Sequence, residues 1–195
     1  HGERVLYVTL SETGAELRGV ARSHGWDDMA GVDVLEILPP EDMLEADEQN
    51  TLFHPAEIEL GETTRRILAA VERLQPSRLV VDSLSELRLL AGSSLRYRRQ
   101  ILALKQYFAS RGCTALLLDD MTMPEPDLQV QSVVHAVLRL EQSHVGYGAT
   151  RRRLVVDKYR GRSFRNGYHD YRIAHGGLRV FPRLVAADHS LPHVQ

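Results

Sequence analysis

Three short stretches of this chain carry side chains suited to chemistry on a phosphate. The first is RLVVDSLSEL (Arg78–Leu87), where Asp82 closes an apolar run and Ser83 follows it. So apolar a run is the pattern of a strand buried on both faces of a parallel sheet. An acidic residue at the C-terminal end of such a strand stands where open α/β sheets bind their ligands, and a carboxylate there holds Mg2+ or a Mg2+-bound water. The competing role is an N-cap for the next segment, a task Ser83 can share. The second is Glu12, just past the apolar run Val5–Leu10 (VLYVTL). A carboxylate in that place orients or deprotonates a water near a phosphate, or else sits solvated at a helix start where the helix dipole favours it. The third is Lys158-Tyr159-Arg160-Gly161-Arg162. Its cations suit the charge that develops in phosphoryl transfer, or form the solvated end of a charged hairpin. Asp119-Asp120 close another apolar run and read either as polar sensors of a phosphate or as turn residues.

The elements that must position these residues follow from periodicity and punctuation. Val5–Leu10 reads as a buried strand, and Thr13-Gly14-Ala15-Glu16 opens a helix to about His24 with Leu17, Val20 and Ala21 at helical spacing. Val32–Leu38 reads as a strand stopped by Pro39-Pro40, and the acidic stretch Glu41–Glu59, with Phe53-His54-Pro55, as a long loop. Gly61–Leu74 is helical, with Ile67, Leu68, Val71 and Leu74 on one face, and Pro76 ends it. After the Asp82 strand comes a helix over Leu95–Ser110 with Ile101, Leu104 and Phe108 as its stripe, then a buried strand Thr114–Leu118. This alternation predicts an α/β fold with a mostly parallel sheet. Val133–Leu140, Arg152–Lys158 and Leu178–Phe181 read as strands joined by short turns at Gly146-Tyr147-Gly148 and Gly176-Gly177, an antiparallel extension at one sheet edge. Arg151-Arg152-Arg153 alternate faces and read as solubilising an edge. The residues after Pro182 read as a frayed end.

Composition bounds the function classes. One domain spanning 1–195 is expected from 195 residues, 43% of them hydrophobic and 26% charged. A net charge of −2 supplies no global basic field for nucleic acid, and an aromatic-basic stripe is lacking. A single cysteine, Cys113, excludes an intrachain disulfide and reads as a buried, inert thiol suited to a reducing cytoplasm. No apolar run reaches membrane-spanning length. The nine histidines show neither H-E-x-x-H nor Cys/His zinc spacing, and no G-x-S-x-G elbow occurs.

Taken in order, these blocks resemble the KaiC-like family of RecA-fold P-loop ATPases. GERVLYVTLSETGAELRGVARSHGWD resembles that family's strand-Glu-helix block, which ends in an FGWD-like tetrad, here His24-Gly25-Trp26-Asp27. RLVVDSLSELRLL resembles its Walker-B block, and DKYRGRSFRNGYHDYRIAHGGLRVFPRL its K-x-R-G…H-x-(F/Y)-x-I…G-(I/L)-x-(V/I)-F-P terminal signature. The resemblance implies a RecA-like three-layer sandwich with ATP and Mg2+ as ligands. Glu12 matches the second of two adjacent acidic residues that activate water, with Ser11 in place of the first. Asp82 matches the Walker-B aspartate and metal ligand. Glu12 and Asp82 are then catalytic, while Ser83, Lys158 and Arg160 bind the nucleotide, the last two reaching the γ-phosphate held by a neighbouring subunit.

A homo-oligomer, a hexamer, with ATP between subunits is therefore expected, together with slow hydrolysis coupled to clock-type signalling through a protein partner. A non-catalytic scaffold and a RecA/RadA-type DNA-dependent ATPase are the alternatives. The G-x-x-x-x-G-K-[ST] loop of the family occurs nowhere in the sequence. The chain is accordingly expected to be a fragment of a longer ATPase, inactive without its phosphate-binding loop. Some relatives phosphorylate their own Ser and Thr. Ser132 lies in the matching region, but it follows Gln131 where the family's clock member has an adjacent Ser-Thr pair.

Overall fold

The computed structural model describes residues 2–26, 29–38, 55–120, 128–144, 146 and 148–185, without the side chains of residues 55–57, 128 and 129. The elements run β1 (Val5–Thr9), α1 (Gly14–Ser23), β2 (Val32–Glu36), α2 (Pro55–Leu74), β3 (Arg78–Asp82), α3 (Leu84–Ala91), α4 (Ser94–Ser110), β4 (Thr114–Leu118), α5 (Leu128–Val133), β5 (Ala136–Ser143), β6 (Arg151–Tyr159), β7 (His169–Ala174) and β8 (Gly177–Phe181). The chain forms two compact units, His1–Val130 and Gln131–Gln195.

The first unit is built on a parallel sheet ordered β2-β1-β3-β4. Pleating sends Leu6, Val8, Leu79 and Val81 to one face, and all four are fully buried. α2 packs against β1, α3 against both α2 and α4, and α4 against β4. Ile67 and Val71 of α2, Leu84 and Leu87 of α3, and Tyr97, Ile101, Leu104 and Phe108 of α4 complete this core. The other face carries Tyr7, Val80 and Asp82, which are half-buried, and Thr9, which is buried. β3 is therefore fully buried on one side only.

β4 departs further from the sequence expectation of a buried strand. Leu116 is 51% exposed and Leu118 38%. β4 is an edge strand, so only its alternate residues Ala115 and Leu117 are half-covered. Val20 of α1 is also exposed, because Gly14, Leu17 and Ala21 form the inward stripe. α2 begins at Pro55, inside the stretch expected to be a loop, in keeping with proline's preference for a first helical turn. Phe53, His54 and most of the acidic stretch lie outside the described residues, as does Asp27. Cys113 is buried, and that burial raises its thiol pKa against a smaller opposing effect of Arg78.

α1 starts at a capping box. Thr13 Oγ1 accepts from the Glu16 N–H at 3.2 Å and the Glu16 carboxylate accepts from the Thr13 N–H at 2.8 Å. The bond from the Thr13 N–H foremost, and then that from the Thr13 hydroxyl to the same carboxylate (2.8 Å), hold the Glu16 pKa below its ordinary value. The cap's contribution is thus present at neutral pH and is lost as pH falls through the lowered carboxylate pKa. Thr13→Ala is expected to destabilise the protein by about 1 kcal/mol at pH 7 and by less at pH 3. Urea unfolding at the two pH values checks it.

The second unit is an antiparallel sheet ordered β5-β6-β7-β8. Arg151 lies beside Asp170 in a two-bond ion pair (2.9 and 3.0 Å), and Arg153 reaches Glu141 at 3.3 Å. Arg152 points to the other face and donates to Gln142. The three arginines do alternate, but β6 is an inner strand and their partners are cross-strand neighbours, so they do not shield an edge. Residues 128–133 form α5 and β5 begins at Ala136, so the strand expected from Val133 starts three residues late.

Candidate functional site

Asp82 and Glu12 both stand at the C-terminal end of the parallel sheet. In the β1–β3 register Thr9 is the neighbour of Asp82, and the Leu10 N–H donates to the Asp82 carbonyl at 2.7 Å, extending the pairing one residue past β1. Glu12 follows two residues later. Its position is set by Thr9, whose Oγ1 donates to the Glu12 carbonyl at 2.8 Å and accepts from the Glu12 N–H at 2.9 Å. With Thr9 only 1% exposed, this double bond is a buried staple under an exposed Glu12 side chain. The Asp82 carboxylate is half-buried, and Tyr7 Oη donates to its Oδ2 at 2.5 Å. Burial, then the bond and charge of Asp82, then the charge of Glu12, push the Tyr7 phenol well above its usual range. It therefore stays a neutral donor. The peptide joining Asp82 to Ser83 is cis.

Ser83 occupies the N-cap position of α3, yet its hydroxyl makes no cap bond and instead meets the Ser85 hydroxyl. Ser85 donates to Asp120 Oδ2 at 3.1 Å, and Arg88 pairs with Asp119 at 2.7 Å. The acidic pair that ends β4 is thereby tied to α3. At the far end of α3, Gly92 takes φ +64° and its N–H donates to the Leu89 carbonyl, a left-handed cap open to glycine at little cost.

Lys158 and Arg160 belong to the second unit and act together there. Lys158 Nζ donates to the carbonyls of Gln131 (2.8 Å) and Ser132 (3.1 Å), and Arg160 Nη2 donates to that of Ser132 (2.7 Å). The last carbonyls of a helix lack intrahelical partners and carry the negative end of its dipole, so two cations cap α5. Lys158 is half-buried, while Tyr159, Arg160 and Arg162 are exposed. Gly161 turns the chain immediately after it at φ +79°. Ser132 lies in the last turn of α5 and is exposed.

Sequence reading overlooked Tyr7 and Thr9. Both lie in an apolar β-forming run and look like ordinary strand residues. The pairing of β1 with β3 brings Tyr7 to Asp82, whereas Thr9 reaches Glu12 through the local turn that follows β1. Among the described residues no group of three or more His, Cys, Asp or Glu side chains is arranged to hold a metal. No helix among them is long and apolar enough to cross a membrane.

A parallel sheet with carboxylates at its C-terminal end, followed by an antiparallel sheet, is the pattern of a RecA-like α/β domain. A solved KaiC-like protein of Pyrococcus horikoshii matches with a TM-score of 0.70, over 93% of this chain and 77% of that one, at 20% identity, a likeness that shows the fold. The sequence profile of the KaiC ATPase family matches residues 1–185, and the chain belongs to that family. A UPF0273 protein of Pyrococcus horikoshii is 26% identical over 94% of this chain and 76% of its own length. One from Thermotoga maritima is 30% identical over 64% of this chain and half of its own.

Proposed function

We propose that the chain supplies the hydrolytic side of an ATP·Mg2+ site and that sites form between subunits of a homo-oligomer, a hexamer on the family pattern. The observation that carries this reading is the convergence of Glu12 and Asp82 at the C-terminal ends of adjacent parallel strands, each held by a β1 side chain. One half-buried carboxylate suits Mg2+, which keeps several waters and is bound by one or two carboxylates plus substrate phosphates. Asp82 would hold the metal, whose role is to neutralise charge on the phosphates. Glu12, exposed and fixed by its backbone, orients the attacking water and takes its proton. Ser83 lies beside Asp82 on the path to the β4 end and would contact the nucleotide's polar groups. Lys158 and Arg160 serve the γ-phosphate of a neighbouring subunit. Ser11 gives the turn no second carboxylate, which fits slow turnover that sets a conformational state read by a protein partner.

The test is ATP binding and hydrolysis by the intact protein, with mass measured by light scattering. Mg2+-dependent ATP binding with assembly into a closed oligomer is expected. An intact protein that neither binds ATP nor responds to Mg2+ overturns the reading in favour of a non-catalytic scaffold. Retention on DNA that weakens with salt would instead favour the DNA-dependent ATPase.

A further inference from the structure

Tyr7 has a place in this site that packing does not account for. It lies two residues before Thr9 on the same face of β1, and Thr9 is the direct neighbour of Asp82. Tyr7 is therefore the diagonal neighbour of Asp82 across the β1–β3 pair, a separation that an aromatic side chain spans. Its ring would fill the same space as phenylalanine. The hydroxyl alone distinguishes it, and that hydroxyl is spent on Asp82 Oδ2 at 2.5 Å. Among the described residues Asp82 Oδ1 has no hydrogen-bond partner.

The end of an aspartate side chain turns about a soft torsion with broad minima, so strand geometry fixes the Asp82 Cα but not the plane of its carboxylate. A charge-assisted O–H···O bond is short, strong and directional, and it fixes that plane. From this we infer that Tyr7 is the positioning residue of Asp82: its O–H occupies Oδ2 and leaves Oδ1 as the oxygen presented to the Mg2+ shell of a bound nucleotide. The inference rests on the proposed role of Asp82 as metal ligand. No covalent step involves Tyr7, and its proton stays on the phenol throughout.

The experiment measures Mn2+ affinity in the presence of ATP by electron paramagnetic resonance, on the intact protein and its Tyr7→Phe, Asp82→Asn and doubly substituted forms. Thermal midpoints without nucleotide serve as the folding control. Tyr7→Phe is expected to weaken Mn2+ binding by about tenfold, the scale of an outer-shell partner's loss, and to lower kcat more than it raises KM for ATP. In the Asp82→Asn background the same change is expected to alter Mn2+ affinity by less than about twofold, since a residue acting through Asp82 has nothing left to orient. Incorporating 3-fluorotyrosine at position 7 retains the donor and should restore the affinity, and it is the form to compare with Tyr7→Trp should Tyr7→Phe not fold.

Equal losses in both backgrounds would show that Tyr7 acts through the fold and would overturn the inference. So would an unchanged affinity in Tyr7→Phe alongside a loss in Asp82→Asn, which leaves the Asp82 reading standing. An Asp82→Asn protein that binds Mn2+·ATP as well as the parent refutes that earlier reading itself.

Discussion

Glu12→Gln is expected to lower ATP turnover by at least about 100-fold, within the range of a lost general base, while ATP binding changes by less than about threefold. The asymmetry comes from how Glu12 is held. Both of its backbone polar groups bond to the buried Thr9 hydroxyl, so the turn keeps its shape whatever ends the side chain. Glutamine has nearly the same volume and keeps an acceptor oxygen, but at working pH it takes no proton. An exposed side chain also loses little stability on neutralisation, which separates a chemical effect from a folding one. Single-turnover hydrolysis beside calorimetric ATP binding checks the prediction. Unchanged hydrolysis would remove Glu12 from the mechanism and return it to an ordinary solvated carboxylate near a helix start.

The sequence made the strands legible where apolar runs were short and punctuated. β1, β3 and the stripe of α4 stand as periodicity places them, because Leu6, Val8, Leu79, Val81, Ile101, Leu104 and Phe108 all face one core. α3 escaped notice. It is eight residues long and separated from Asp82 by Ser83 alone, too short for Leu84, Leu87 and Ala91 to display a clear helical period. β7 escaped for a different reason. His169–Ala174 has a single buried residue, His169, without clear alternation of apolar side chains, and its pairing with β8 is what makes it a strand. His169 itself accepts from the Arg183 N–H at 2.9 Å and pairs with the Arg165 carbonyl at 3.1 Å, a long-range arrangement invisible in spacing.

The candidate site divides along the same line. The places of Asp82 and Glu12 at the sheet end were legible because each follows a short apolar run that reads as a strand, although Asp119-Asp120 follow such a run too. Tyr7 was not legible, because its reach to Asp82 lies in the β1–β3 register, and a one-residue shift would send it to the opposite face. Nor was Thr9, because a threonine in a strand gives no sign that its hydroxyl will turn back on the residue three places on. Lys158 and Arg160 show a third case. Their types and spacing were plain, but the sequence could not say that α5 would end at their reach and offer them carbonyls. Any duty toward a phosphate must then compete with capping α5. Exchange of partners is inexpensive when one hydrogen bond replaces another, so a nucleotide-linked shift of this pair is physically accessible.

Mixing two inactive variants is expected to restore activity that neither possesses. A Glu12→Gln subunit keeps Lys158, and a Lys158→Ala subunit keeps Glu12. If each ATP site takes Glu12 from one subunit and Lys158 from the next, a ring assembled from equal amounts of the two variants regains both groups at about a quarter of its heterologous interfaces. The remaining interfaces lack one group or both. Turnover in the mixture should therefore rise to about a quarter of the parent's, against about one per cent for Glu12→Gln, which loses a general base, and no more than that for Lys158→Ala, which loses a cation at the γ-phosphate. Separate preparations must be dissociated and reassembled together, because preformed rings of one type contain no mixed interface. The strength of the Lys158 cap on α5 does not alter the expected gain, since Lys158→Ala removes that bond in the unmixed control as well. Residues that acted within one chain would leave every subunit deficient in one group whatever its neighbours, and the mixture would show no gain. That result would overturn action between subunits while leaving Glu12 and Asp82 in place at the sheet end.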